Sequence, residues 1–156
     1  MKNSRFQFRT STLLLLAIPA AVLACVLAAS IKGRPGTWTQ YDQTELEYRV
    51  RQGRTVVLFV KADWNLTSVT SEKMTFDDEQ INHRLRSWDF ILMNADITRS
   101  SSNYPSILWN RGIRTAPVIA IFSGKDLTNP TILEGVIRPE DLHQRLDTLK
   151  AGESAG

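Results

Sequence analysis

Three short apolar runs, rich in β-branched residues, do most to restrict what this chain can become: Thr55-Val56-Val57-Leu58-Phe59-Val60, Phe90-Ile91-Leu92-Met93-Asn94-Ala95-Asp96-Ile97 and Pro117-Val118-Ile119-Ala120-Ile121-Phe122. They lack the polar–apolar alternation of a half-solvated strand, so each predicts a strand buried on both faces. Helical patterns fill the gaps. Residues 38–52 predict a helix capped by Asp42 or Thr44, with Leu46, Tyr48 and Val50 among its apolar residues and Gly53 as its stop. After Ala62-Asp63-Trp64 the pattern turns helical through Val69, Met74 and Phe76, and a second short helix is predicted over 78–86. Residues 100–103 predict a loop, and 104–110 a helix closed by Gly112. Ser123-Gly124-Lys125-Asp126 has turn chemistry, with 131–137 as hairpin partner of the third run. Arg138-Pro139-Glu140-Asp141 opens a last helix, with proline at its first position and acids in its first turn. That helix is predicted to reach Lys150 and to leave 151–156 as a frayed tail. The order α-β-α-β-α-β-β-α implies an α/β fold, a mixed central sheet flanked by helices.

The N-terminal end is of another kind. From Ser11 to Ile31 there is no charged residue. Roughly 20 apolar residues suffice for a helix to cross a bilayer core of ~30 Å, and Pro19 within the run is tolerated in such helices. Lys2, Arg5 and Arg9 precede it, so residues 1–10 are expected in the cytoplasm, 11–31 as a single-pass anchor in the inner membrane and 32–37 as a linker. The domain over 38–150 is then periplasmic or otherwise extracytoplasmic. Ala28-Ala29-Ser30 also fits a cleaved signal peptide, and Val22-Leu23-Ala24-Cys25 loosely fits a lipobox that makes Cys25 lipid-bearing. The length of the run favours the uncleaved anchor, and all three readings export the domain.

Charge and cysteine exclude whole classes of function. The net charge is +3, yet residues 1–34 hold five basic residues and no acid. The other 14 of the 19 Lys and Arg face all 16 Asp and Glu, which leaves the rest at −2. No basic stripe is available to neutralise phosphates, so nucleic acid is excluded as a partner. The single cysteine forms no internal disulfide and no Cys-rich zinc site, and no paired His motif accompanies it; neither metal nor cofactor is expected.

Gly53-Arg54-Thr55-Val56-Val57-Leu58-Phe59-Val60-Lys61-Ala62-Asp63-Trp64, followed by Glu72-Lys73-Met74-Thr75-Phe76-Asp77-Asp78, resembles the C-terminal thioredoxin-like domain of the bacterial thiol:disulfide interchange protein DsbD. The resemblance extends through Asn94-Ala95-Asp96-Ile97-Thr98 and Thr115-Ala116-Pro117 to the final helix, over residues 40–150. It implies a thioredoxin-like fold and a Cys-x-x-Cys pair directly after Trp64. This chain has Asn65-Leu66-Thr67-Ser68 there, with Asn65 and Ser68 at the cysteine positions and Val69 where a lysine is common. Thiol–disulfide exchange needs a thiolate, which neither a carboxamide nor an unactivated hydroxyl replaces. No catalytic residue is therefore expected.

The resemblance further implies a cis Ala116–Pro117 bond facing the turn, and a groove beside it that takes an extended segment of a partner. The candidate lining is Trp64, Asn65, Leu66, Thr67, Ser68, Thr115, Ala116 and Pro117. Trp64 is either an exposed partner contact or packed against the first helix. Asp63 is expected to cap, and Ser68 to satisfy backbone groups in the first helical turn rather than act as a nucleophile, since His83 and His143 lie in distant helices. Both histidines are expected to be solvated. Asn65-Leu66-Thr67 fits the N-glycosylation pattern, against which the bacterial character of the resembling family speaks. The expected function is a redox-inactive binding or scaffold module with a protein or peptide partner, or an accessory component of a thiol:disulfide interchange pathway.

Overall fold

The computed structural model describes residues 37–154; the anchor, signal-peptide and lipobox readings of 11–31, with Cys25, lie outside them. The described chain runs β1 (Trp38–Gln40), α1 (Gln43–Arg51), β2 (Val56–Lys61), α2 (Leu66–Phe76), α3 (Glu79–Ser87), β3 (Ile91–Asp96), a 3-10 turn (Ser101–Asn103), α4 (Ser106–Trp109), β4 (Val118–Phe122), β5 (Thr131–Glu134) and α5 (Pro139–Ser154). One five-stranded sheet has the order β1-β3-β2-β4-β5. β1 and β2 flank β3 in parallel, whereas β4 is antiparallel to both β2 and β5.

The uninterrupted apolar runs are explained by cover on both faces. Val56, Leu58 and Val60 of β2 and Val118, Ala120 and Phe122 of β4 pack with Leu46 and Val50 of α1 and Ile107 and Leu108 of α4. The alternate residues Val57, Phe59, Ile119 and Ile121 pack on the other face with Ile81 and Leu85 of α3 and Leu142 and Leu146 of α5. A strand with a helical layer on each side has no solvent face to carry polar residues.

Several sequence expectations are corrected. Trp38 does not begin a helix: residues 38–40 form an edge strand in register with Leu92–Asn94. The Trp38 ring stands edge-on to Phe76 at 4.7 Å, and Thr39 Oγ1 donates to the Leu92 carbonyl at 3.1 Å. The helix starts only after Asp42, whose carboxylate accepts from the Glu45 N–H at 2.8 Å, so Asp42 and not Thr44 is the cap. Leu46 and Val50 face the core while Tyr48 faces out. The helix predicted over 104–110 is shorter, because a residue before proline is driven to extended backbone; Tyr104 sits at φ −67 and ψ 130, and the helix follows Pro105. The hairpin partner ends at Glu134, where Gly135 turns the chain at φ 79. The predicted tail is helical to Ser154, since Leu142 and Leu146 seat α5 and no proline follows to stop it.

Because β1, β2 and β3 run in parallel, Trp38 stands level with Leu92 and Val57 toward the starts of the strands, and Lys61 and Asp96 stand at their ends. The chain enters at the pole opposite the start of α2. Among the described residues no helix is long and apolar enough to cross a membrane.

Candidate functional site

At the end of β2 the chain passes buried Ala62 and turns, with the Asn65 N–H donating to the Ala62 carbonyl at 3.0 Å. Asn65, in extended backbone at φ −100 and ψ 108, is the N-cap of α2. Its Oδ1 accepts from the Ser68 N–H at 3.2 Å, satisfying one of the orphan donors of the first turn. The Val69 N–H closes the turn on the Asn65 carbonyl at 3.1 Å. The carboxamide has a second partner: Nδ2 donates to the Ala116 carbonyl at 2.8 Å. The Ala116–Pro117 peptide bond is cis. Asn65 thereby ties the strand-to-helix junction to the loop before β4.

The eight residues proposed as a groove separate by depth. Trp64 is 67% exposed and Leu66 79%, which decides for an outward-facing Trp64 and against packing on α1. Thr115 is exposed, Asn65, Thr67 and Ala116 are half-buried, and Ser68 and Pro117 are buried. The structure brings Asn65 to Ala116 directly.

Ser68 departs from expectation. It is 1% exposed, and its Oγ has no hydrogen-bond partner among the described residues, so Asn65 and not Ser68 satisfies the first turn. Ser68 opens a buried polar stripe of α2 that continues in Ser71 and Thr75, spaced three and four residues apart on one helical face. The other two are bonded. Ser71 Oγ accepts from the Ile137 N–H at 3.0 Å, and Thr75 Oγ1 donates to the Ile137 carbonyl at 2.7 Å. The Gly135 N–H in turn reaches the Pro117 carbonyl at 3.3 Å. This seam fixes the segment 135–137, with Val136 59% exposed, beside the loop that holds Pro117. The sequence reading missed Ser71, Thr75 and Val136, although the spacing of the hydroxyls was a usable signal.

Asp63 is a further correction. It caps no helix among the described residues: its N–H donates to Thr98 Oγ1 at 2.9 Å, and its exposed carboxylate lies 4.0 Å from Lys61 Nζ. Lys61 is engaged by Glu72 at 2.8 Å. Burial alone pushes the Lys61 ammonium down, but the Glu72 carboxylate outweighs it and holds the pKa above its ordinary value. The Thr98 hydroxyl and N–H hold Asp96 below the ordinary carboxylate range. On the other flank, Tyr104 Oη donates to the Thr115 carbonyl at 3.1 Å. Burial, reinforced by the charge of Glu134, pushes the Tyr104 phenol up to about 12, so it remains a donor. Trp109 stands edge-on to Tyr104, and the Arg114 guanidinium lies 4.3 Å over its ring. His83 is exposed as expected, whereas His143 is half-buried, its Nδ1 without a partner among the described residues. Among the described residues no group of His, Cys, Asp and Glu is placed to hold a metal ion. Every group at the junction is a carboxamide, a hydroxyl, a backbone group or an apolar side chain. None of these side chains carries sulfur.

A five-stranded mixed sheet with a helix opening after its central strand, opposite a cis-proline loop, defines the thioredoxin-like class, and the family profile of that description matches residues 37–124. The chain belongs to the thioredoxin-like family. It is 34% identical over 83 residues to the thiol:disulfide interchange protein DsbD of Yersinia enterocolitica, covering 52% of this chain and 14% of that protein. With the protein of the same name from Haemophilus ducreyi it shares 30% over 93 residues, 57% of this chain and 16% of that one. The chain thus matches only a small part of the length of these relatives. Among solved structures, a thioredoxin from Trypanosoma brucei brucei superposes with a TM-score of 0.55 at 14% identity, over 77% of this chain and 96% of that one. A thioredoxin from Thermus thermophilus gives 0.54 at 12% identity, over 76% and 93%. These two likenesses speak for the fold alone.

Proposed function

We propose that this chain is a membrane-tethered, extracytoplasmic member of the family that performs no dithiol exchange. It serves as a binding or scaffold module, taking a protein or peptide segment at the junction formed by 64–68 and 115–117. The observation that carries this reading is Asn65, whose carboxamide caps α2 and bonds Ala116 where exchange needs a thiolate. Ser68 adds a buried hydroxyl, and the chain's single cysteine, Cys25, lies 40 residues before Asn65 in the apolar N-terminal run. Exposed Trp64, Leu66 and Val136 supply the apolar contact area that a partner chain uses. The tether rests on the uncharged run 11–31. The test is reduction of insulin by dithiothreitol. The purified chain is expected to match its Asn65→Ala, Ser68→Ala variant, and a faster rate for the unaltered chain overturns the reading.

A second reading is an accessory role in a thiol:disulfide interchange pathway beside a cysteine-bearing partner. The observation in its favour is the 34% identity to a protein named for that activity. Affinity capture from membranes followed by mass spectrometry separates the two. Recovery of thiol oxidoreductases supports the pathway role, and a partner set without them removes it.

A further inference from the structure

Among the described residues three arginines lie over aromatic rings: Arg49 over Tyr48, Arg84 over Trp88 and Arg114 over Trp109. Arg49 and Arg84 are also paired with carboxylates, Glu45 and Asp147, each at 2.6 Å. Arg114 stands nearest its ring, at 4.3 Å, and forms no ion pair among the described residues. Its guanidinium makes no hydrogen bond among them either, whereas Arg111 donates to the carbonyls of Ile107, Leu127 and Thr128. Arg86, Arg99 and Arg145 likewise form no ion pair there, but no ring holds them.

The stack is built into the loop that carries Pro117. Tyr104 stands edge-on to Trp109 and donates to the carbonyl of Thr115, the residue after Arg114. Arg114, Thr115 and Trp109 are all exposed. Two residues beyond Arg114, the Ala116 carbonyl is bonded to Asn65, whose neighbour Trp64 faces solvent. Arg114 is thus no more than about 7 Å of extended backbone from the junction.

A planar guanidinium with one face on a ring keeps its N–H edges for a carboxylate, which it meets in a bidentate pair. The ring also orders the side chain before any guest arrives, which lowers the entropic cost of pairing. Glu134, the acid whose charge reaches Tyr104, does not pair with Arg114. The rest of the chain works against a preference for acids: beyond residue 34 the net charge is −2, so general attraction favours a basic guest.

We propose that Arg114, ordered by Trp109, sets the charge preference of this site and pairs with the carboxylate of an Asp or Glu in the partner segment. The inference rests on the peptide-binding reading above and adds the chemistry of the guest. That guest is a segment apolar enough for Trp64, Leu66 and Val136, with one acid within reach of Arg114.

The test uses the full chain in mild detergent and calorimetric titration with an acetylated, amidated hexapeptide of alternating Val and Thr. Its six single-Glu relatives are compared with the six single-Gln relatives, which match them in shape and lack the charge. At low ionic strength at least one Glu peptide is expected to bind about tenfold more tightly than its Gln counterpart, the effect of one charge-assisted pair. Arg114→Gln is expected to reduce that advantage to about twofold or less. Trp109→Leu, which keeps the charge and removes the ring, is expected to reduce it to about threefold. Arg114→Gln carries the comparison if the Trp109 variant fails to fold. A Glu advantage equal in the unaltered chain and in Arg114→Gln overturns the inference while sparing the peptide-binding reading. So does equal binding of every Glu peptide and its Gln counterpart by the unaltered chain. A full advantage in a folded Trp109→Leu protein overturns the part assigned to the ring. No binding of any peptide to any of the three proteins overturns both the inference and the reading beneath it.

Discussion

At the scale of single residues, the three hydroxyls on the inner face of α2 are alike in burial and unlike in bonding. Thr75 donates to the Ile137 carbonyl, Ser71 accepts from the Ile137 N–H, and Ser68 Oγ has no partner among the described residues. A buried polar group without a partner carries a desolvation cost, whereas removing one member of a bonded pair exposes that cost in the other. Ser68→Ala is therefore expected to leave stability unchanged or raise it by up to about 1 kcal/mol. Thr75→Val is expected to lower it by about 1–3 kcal/mol, because the Ile137 carbonyl loses its donor. Urea denaturation of both variants checks the contrast, and a Ser68→Ala loss as large as that of Thr75→Val would show that Ser68 has a bond. Residue chemistry at the motif was legible in the sequence as a loss of sulfur. What Asn65 does instead was not, because its second partner, Ala116, stands 51 positions away.

Among the elements, what the sequence disclosed follows from burial. β2 and β4 were legible because cover on both faces leaves an unbroken apolar signature. β1 was not. Three residues are too few for a period of two to show, and Trp38 and Tyr48 lend themselves to a helical pattern that tertiary pairing overrides. The division at Asp42 has measurable consequences. Trp38→Ala is expected to cost about 3 kcal/mol through the lost ring contacts with Phe59 and Phe76. Asp42→Ala is expected to cost about 1 kcal/mol as the loss of a cap. If residues 38–52 were one helix, Asp42→Ala would remove no cap, and thermal unfolding of the variant would show no loss. Ser101–Asn103 and Pro105 show the same limit: Tyr104 was placed inside a helix, although the proline that follows it forces extended backbone.

For the whole molecule, Tyr41, Tyr104 and Asp126 are three of the groups whose titration makes stability depend on pH. Burial pushes both Tyr41 and Tyr104 up to about 12, with Glu47 reinforcing the first and Glu134 the second. Between the ordinary 10.0 and about 12 the folded chain keeps protons that the unfolded chain has lost. The contribution of these two phenols is therefore fully present below pH 10.0 and is lost as pH rises through that window. At the acid end, the Thr128 hydroxyl and N–H hold Asp126 down to about 2, so its contribution is present above 3.8 and is lost as pH falls toward about 2. Tyr104→Phe is expected to make the alkaline decline shallower and leave the acid limb unchanged, as measured by urea midpoints from pH 3 to pH 11. A parallel loss on both limbs would mean that the bond to Thr115, rather than the ionisation, carries the effect.

The parallel run of β1, β2 and β3 has a last consequence. Trp38 stands toward the starts of these strands, whereas the exposed Trp64 and Leu66 follow the end of β2, so the two lie toward opposite ends of the sheet. From Val57, level with Trp38, to Lys61 the strand advances four residues, about 13 Å, before the turn that carries Trp64.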